Sequence, residues 1–193
     1  MREIVLATRN RGKLLEMGEI AGEFGIRLLP LPDAVQLPPE TGTTYLDNAR
    51  IKARAGHAAT GLPVLADDSG IEVDFLGGAP GVYSARFSGE GATDAENNAL
   101  LLKRLGPTRQ RGARYRAVLV LTSAQGEWTA QDTWEGEILP SPRGEGGFGY
   151  DPLFFVPALA RSSAELTREE KSRHSHRGKA LRSLLRLLSE QGG

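Results

Sequence analysis

The sequence predicts an α/β protein with a mixed β-sheet flanked by helices, on two observations. Short apolar runs alternate with helix-period segments as far as Leu105, and strand-like runs then follow one another from Tyr115 to Leu139. No Pro/Ser-rich linker separates independent units, and 193 residues can bury a substantial core, so residues 1–193 read as one domain. Lys plus Arg and Asp plus Glu each number 24, for zero formal net charge. That balance removes the broad basic footprint of a nucleic-acid binder, so local clusters must hold any anion. With no cysteine, disulfides and thiolate metal sites are excluded. The first apolar run, about five residues long, is too short for a signal peptide or membrane span, and a soluble cytoplasmic protein is expected.

Ile4 to Ala7 forms a short apolar strand, and Leu14, Met17, Ile20 or Ala21, and Phe24 recur at helical spacing from about Arg11. Between them Thr8, Arg9, Asn10, Arg11, Gly12 and Lys13 make a strand-to-helix turn. Its free N–H groups and positive dipole end suit an anion, although an ordinary turn with a surface lysine has the same sequence. It is not a Walker A loop, because no glycine lies five residues before Gly12 and Leu14 follows the lysine. A strand is expected at Ile26 to Leu31, then a proline-rich loop carrying Glu40. Thr44 with Asp47 resembles a capping box opening a helix to about Thr60. Glu40 either complements the dipole of that helix or is a carboxylate brought near Asp68.

Residues 63 to 81, PVLADDSGIEVDFLGGAPG, deliver charge at the end of an apolar run. Pro63 to Ala66 reads as a buried strand, followed by Asp67, Asp68, Ser69 and Gly70 where an open α/β sheet places its ligands. If the strand persists, the two aspartates face opposite sides, so that one works and the other supports it. Alone, the segment more often reads as a loop with two solvated aspartates.

A second strand is expected at Ile71 to Phe75, then the turn Gly77 to Gly81 leading to Arg86, a candidate anion or partner contact. Thr93 caps a helix to Leu105 with Ala95, Leu101 and Leu102 on its apolar face, stopped by Gly106-Pro107. Tyr115 to Thr122 and Glu127 to Leu139 form a hairpin or meander about Ser123 to Gly126. The run Gly144 to Pro152 sets four glycines around Phe148 and Tyr150. Its backbone can approach a flat ligand, with Phe148 or Tyr150 stacking and Asp151 accepting from a base N–H. Lys171, Arg173, His176, Arg177 and Lys179 gather positive charge before a helix containing Ala180, Leu181, Leu184, Leu185 and Leu188. Cations oppose the dipole there, which points to a bound phosphate. His174 and His176, two apart with no third histidine nearby, do not make a zinc site.

Cation clusters, the hard oxygens of Glu40 and Asp67-Asp68, and an aromatic glycine-rich loop together suit a nucleoside triphosphate with Mg²⁺. The motifs Thr8-x-Asn10-x-x-Lys13, Ala66-Asp67-Asp68-Ser69-Gly70, Gly77-Gly78-Ala79-Pro80-Gly81, Gly147 to Pro152 and Ser175-His176-Arg177-Gly178 occur in the order of the inosine triphosphate pyrophosphatase family. The chain resembles these Ham1 or RdgB type noncanonical purine nucleotide pyrophosphatases from residue 4 to about 190. The resemblance implies Mg²⁺-dependent hydrolysis of ITP, dITP and XTP to the monophosphate and pyrophosphate. It also implies a homodimer and an elongated mixed sheet whose two lobes flank a nucleotide-binding cleft. By resemblance, Thr8, Asn10 and Lys13 contact the triphosphate, Glu40 and Asp68 hold metal, Asp68 is the general base and Ser69 contacts substrate; Arg9, Arg11 and Gly12 join the contacts as members of the turn. Phe148, Gly149, Tyr150 and Asp151 match the base pocket, and Lys171, His176 and Arg177 match residues holding phosphate and the purine 6-oxo group. Arg9 and Asp47 depart from the glycine and glutamate of many relatives. A Maf-type pyrophosphatase is the rival enzyme, and a nucleotide sensor without turnover the rival from another class.

Overall fold

Residues 2–191 are described by a computed structural model. Strand β1 (Glu3–Leu6) leads through helix α1 (Arg11–Gly22) to β2 (Arg27–Pro30), and helix α2 (Tyr45–Thr60) leads to β3 (Val64–Val73). Helix α3 (Asp94–Leu105) precedes the long strands β4 (Gly112–Ser123) and β5 (Gly126–Ile138). The short strands β6 (Phe154–Val156) and β7 (Arg161–Ser162) and the helices α4 (Arg168–His174) and α5 (His176–Gln191) complete the chain. Seven strands form one sheet in the order β2-β1-β3-β4-β5-β6-β7. β1 lies parallel to both β2 and β3, pairings that need the crossovers supplied by α1 and α2. The two-residue turn Ala124-Gln125 joins β4 to β5, and β6 is antiparallel to β5 and β7. The sheet is therefore mixed, as the sequence predicts.

The chain divides into two compact units. The first comprises residues up to Asp68, Ala117–Asp132 and the residues from His176; the second comprises Ser69–Arg116 and Thr133–Ser175. In the first unit, alternate residues of β1 enter separate clusters. Ile4 and Leu6 pack with Met17 and Ile20 of α1 and with Ala180, Leu181, Leu184 and Leu185 of α5. Val5 and Ala7 pack with Val64 and Ala66 and with Ala49 and Ala53 of α2. The period-two alternation thus gives each sheet face its own helical cover. The second unit is built on Phe154, whose ring lies 4.6 Å from Tyr115 and 5.3 Å from Trp134, with Ile71, Val73, Leu101 and Leu105 around them. No helix among the described residues is long and apolar enough to cross a membrane.

Four local expectations are corrected. Pro63 to Ala66 and Ile71 to Phe75 are not separate strands, because β3 runs unbroken through Asp67-Asp68-Ser69-Gly70. The buried aspartates find cationic and amide partners, so the ladder need not open to solvate them. Thr44 caps α2 by accepting from Asp47 N–H, but the Asp47 carboxylate accepts the Thr44 hydroxyl at 2.7 Å, so the reciprocal bond to the backbone is not made. On α3 the buried residues are Asn97, Leu101 and Leu105, and Ala95 is exposed. Lastly, the basic segment is split at Ser175. Lys171 and Arg173 occupy the last turn of α4, where the dipole favours cations, and lie on the helix that precedes the apolar one.

Candidate active site

In the first unit, β1 ends in a turn that aims the start of α1. Thr8 Oγ1 accepts from Asn10 N–H, and the Asn10 side chain accepts from Lys13 N–H as the N-cap. Arg11 and Gly12 precede the first intrahelical bond, from Leu14 N–H to Asn10 C=O, so their amides stand at the positive end of a twelve-residue helix. Arg9 turns the other way. Its guanidinium donates to the carbonyls of Leu31, Pro32, Asp33 and Val35, tying the proline-rich loop to β1. Those bonds remove it from the candidate phosphate contacts, since a planar fork committed to four carbonyls has little donor capacity left.

Asp67 and Asp68 point to opposite sides of β3 and meet different partners. Asp67 accepts from Lys13 Nζ at 3.0 and 3.1 Å and from Arg177 Nε at 3.2 Å, while Arg177 Nη1 reaches Glu16 at 3.0 Å. Burial works to raise the Asp67 pKa, but the charges of Lys13, then Arg177, outweigh it and hold the carboxyl far below the usual range. Asp68 accepts from Asn48 Nδ2 at 3.1 Å and lies 3.7 Å from Lys52 Nζ, which donates to Glu40 at 2.5 Å. Burial, with the negative charge of Glu40 adding to it, pushes Asp68 up to about 6 against the pull of Lys52 and the Asn48 hydrogen bond. Adjacent aspartates are thereby made unlike: one is a locked anion, the other titrates near neutrality.

Glu40 and Asp68 share one ammonium, and this donor set fits Mg²⁺. That ion takes one or two carboxylates and completes its shell with phosphate oxygens and water. No group of three or more His, Cys, Asp or Glu able to hold a metal occurs among the described residues, so substrate or water would supply the remaining ligands.

In the second unit, the loop before β6 is folded around Asp151, itself buried. Asp151 Oδ2 accepts from Phe148 N–H at 2.8 Å and from Lys171 Nζ at 2.5 Å, and Oδ1 accepts from Ser163 Oγ at 3.0 Å. A Cβ on Gly147, whose φ is +75°, would lie 2.0 Å from Asp151 Oδ2, so only glycine permits this approach. Lys171 Nζ lies 4.7 Å from the centre of the Phe148 ring. Tyr150 is enclosed in the core with its hydroxyl on Ser84 C=O at 2.8 Å, which leaves Phe148 as the stacking surface. The Gly149 N–H donates to Asp94 at 2.6 Å, and its C=O accepts from Asn98 at 2.9 Å. A cavity of about 490 Å³ borders this loop, lined by Phe148, Gly149, Asn98 and Leu102 among others.

The sequence-derived phosphate hint at 171 to 179 is met differently. Lys171 pairs with Asp151, Arg173 with Glu169, Arg177 with Asp67 and Glu16, and Lys179 with Asp132, so carboxylates neutralise the cluster. His176 is buried at the start of α5, and Ser69 is half-buried on β3. Sequence reasoning missed Lys52, Asn48, Asp94 and Asn98. A signal existed for the first two: Asn48 and Lys52 flank Ala49 and Ala53 at i, i+4 spacing on the buried face of α2, where polar residues need partners.

A family model described as the Ham1 family matches residues 4–187. A dITP/XTP pyrophosphatase of Vibrio parahaemolyticus is 50% identical over 99% of this chain and 98% of its own length. One from Thermus thermophilus is 54% identical over 95% of this chain and 90% of its own. A solved HAM1 protein from Coxiella burnetii superposes with a TM-score of 0.89 at 44% identity, covering 98% of this chain and all of that one. A family model across nearly the whole chain, relatives at half identity and a shared fold have one reading: the chain belongs to the Ham1 family.

Proposed function

We propose that this protein hydrolyses noncanonical purine nucleoside triphosphates, dITP and XTP with ITP among them, to the nucleoside monophosphate and pyrophosphate. The pyrophosphatase names of the near full-length relatives support the substrate class. The observation that carries the chemistry is the Glu40 and Asp68 pair gathered on Lys52, beside an aspartate locked by Lys13 and Arg177. Mg²⁺ bound by Glu40 and Asp68 supplies neutralisation of the phosphate oxygens.

The chain's own residues do the rest. Thr8, Asn10, the amides of Arg11 and Gly12, and Lys13 receive the triphosphate at the start of α1. Asp68, ionised in the neutral range, orients and accepts a proton from the water that attacks the α-phosphorus; the bond to the bridging oxygen breaks and pyrophosphate leaves. Phe148 stacks on the base, Ser69 touches substrate, and Lys171, His176 and Arg177 between them hold phosphate and donate to the purine 6-oxo group. Adenine's amino group leaves such donors unmatched, which disfavours dATP. The chain acts as a single domain and as a homodimer on the cytoplasmic nucleotide pool; sedimentation at working concentrations measures the dimer.

Pyrophosphate release from dITP, XTP, dATP and dGTP, with and without Mg²⁺, tests the function. The expected result is Mg²⁺-dependent turnover of dITP and XTP, and its loss in a folded Asp68→Asn variant. Equal rates on all four nucleotides would reject the selectivity, and tight binding without pyrophosphate would make the protein a sensor.

A further inference from the structure

Gly149 is gripped from α3 through both of its backbone polar groups. Asp94, in the first turn of α3, accepts from its N–H at 2.6 Å, and Asn98, one turn later, donates to its C=O at 2.9 Å. The i, i+4 spacing puts both side chains on one helix face. Their platform is rigid: Thr93 and Glu96 close a capping box at the start of α3, and Leu101 and Leu105 anchor the helix in the core. Asn97, on the adjoining face, ties α3 down by donating to Ala85 C=O at 3.2 Å and accepting from Ser88 N–H at 2.9 Å.

The grip acts at the one end of Phe148 that Asp151 does not already hold through its carboxylate. Gly147 and Gly149 both have positive φ, +75° and +64°, and beyond its two chain neighbours no atom lies within 4 Å of where a Gly149 side chain would begin. No packing fixes that residue, so its hydrogen bonds do. Holding the N–H fixes the peptide that follows Phe148, and holding the C=O fixes the peptide that precedes Tyr150. The Asp151 bond to Phe148 N–H fixes the peptide on the other side of Phe148. The direction of the Phe148 ring is therefore set by Asp94 and Asn98 together with Asp151, whose own N–H also donates to Phe148 C=O at 3.3 Å.

We propose that Asp94 and Asn98 are positioning residues for base recognition: they clamp Gly149 so that Phe148 presents its ring to the purine. They are distinct from the charged cluster of the first unit and take no part in bond breaking. The inference rests on the base-stacking part of the reading given under Proposed function.

The test compares wild type with Asp94→Ala, Asn98→Ala and Asp94→Asn, by exchange of the Gly149 amide without nucleotide or metal and by steady-state kinetics on dITP. Asp94→Ala is expected to speed exchange at Gly149 and to raise KM about tenfold with kcat within about twofold, because the loss falls on binding of the base. Asn98→Ala raises KM similarly. Asp94→Asn keeps an acceptor oxygen and recovers most of the KM. Unchanged exchange in Asp94→Ala would refute the clamp, as would faster exchange with an unchanged KM; a fall in kcat at constant KM would move the pair into the chemistry. If wild type releases no pyrophosphate from dITP, the enzymatic reading fails separately. The clamp is then judged by amide exchange and by calorimetric dITP affinity, equal values in wild type and variants overturning it.

Discussion

Replacing Asp67 by Asn removes one negative charge from a buried site and nothing else of size. The carboxylate is 1% exposed and lies between Lys13, 17% exposed, and Arg177, 4% exposed. Asparagine retains one acceptor oxygen but leaves two desolvated cations facing each other. Breaking a buried pair by removing one partner costs about 3–5 kcal/mol. Arg177 keeps its second bond to Glu16, which places the expected cost near the lower end, about 3 kcal/mol. For a chain of this length that lowers Tm by roughly 10 °C. The sign with pH follows from the depressed pKa in the fold: ionised Asp67 stabilises above the unfolded value of about 4, and that contribution is lost as pH falls below it. Urea unfolding of both proteins from pH 3.5 to 8 should therefore show a constant gap above pH 5 and a narrowing one in acid. A gap under about 1 kcal/mol, or one independent of pH, would refute the account of Asp67 as the locked anion of the site.

Lys52→Met keeps the stem of the side chain and leaves Glu40 and Asp68 without their shared ammonium. Without metal the variant should lose roughly 2 kcal/mol, and Mg²⁺ should raise its Tm more than it raises that of wild type; equal Mg²⁺ shifts in a thermal melt would count against the carboxylates as metal ligands. The raised Asp68 pKa has the opposite pH sign to Asp67, since the proton is held more tightly in the fold. Its contribution is present below the unfolded value of about 4 and lost as pH rises through about 6. Metal-free Asp68→Asn should accordingly gain on wild type in urea titrations between pH 4 and 7, and parallel curves would contradict that burial. Gly147→Ala must displace Asp151, whereas Gly149→Ala meets only the positive-φ penalty of about 1 kcal/mol; the Gly147 variant should be the less stable and the weaker binder of dITP.

Much of this was legible from residues that act locally. Thr44 and Thr93 announced their helices because an N-cap needs only its own first turn, and Leu14, Met17 and Ile20 announced α1 by their spacing. Asp67 and Asp68 were legible as a pair that must divide its labour on a continuous strand. Their partners were not: Lys13 and Arg177 lie 54 and 110 residues from Asp67. Without those charges in view, two adjacent aspartates and a glycine read as the end of a strand. Arg9 misled for a related reason, because carbonyl oxygens of residues 31 to 35 carry no side-chain signature. The basic run before α5 overstated its need for phosphate because Lys171, Arg177 and Lys179 pair with acids from elsewhere in the chain, and local sequence shows only the Arg173–Glu169 pair.

Chain order adds a constraint on synthesis. The first unit's core joins Ala180, Leu181, Leu184 and Leu185 to Ile4, Leu6, Met17 and Ile20, which are made long before them. Every residue of the second unit is made before α5. On the ribosome the amino-terminal apolar residues must therefore wait, uncovered on that face, until α5 emerges. Synthesis of α5 times closure of that core, and a stop codon shortly before His176 would leave that face exposed to aggregation.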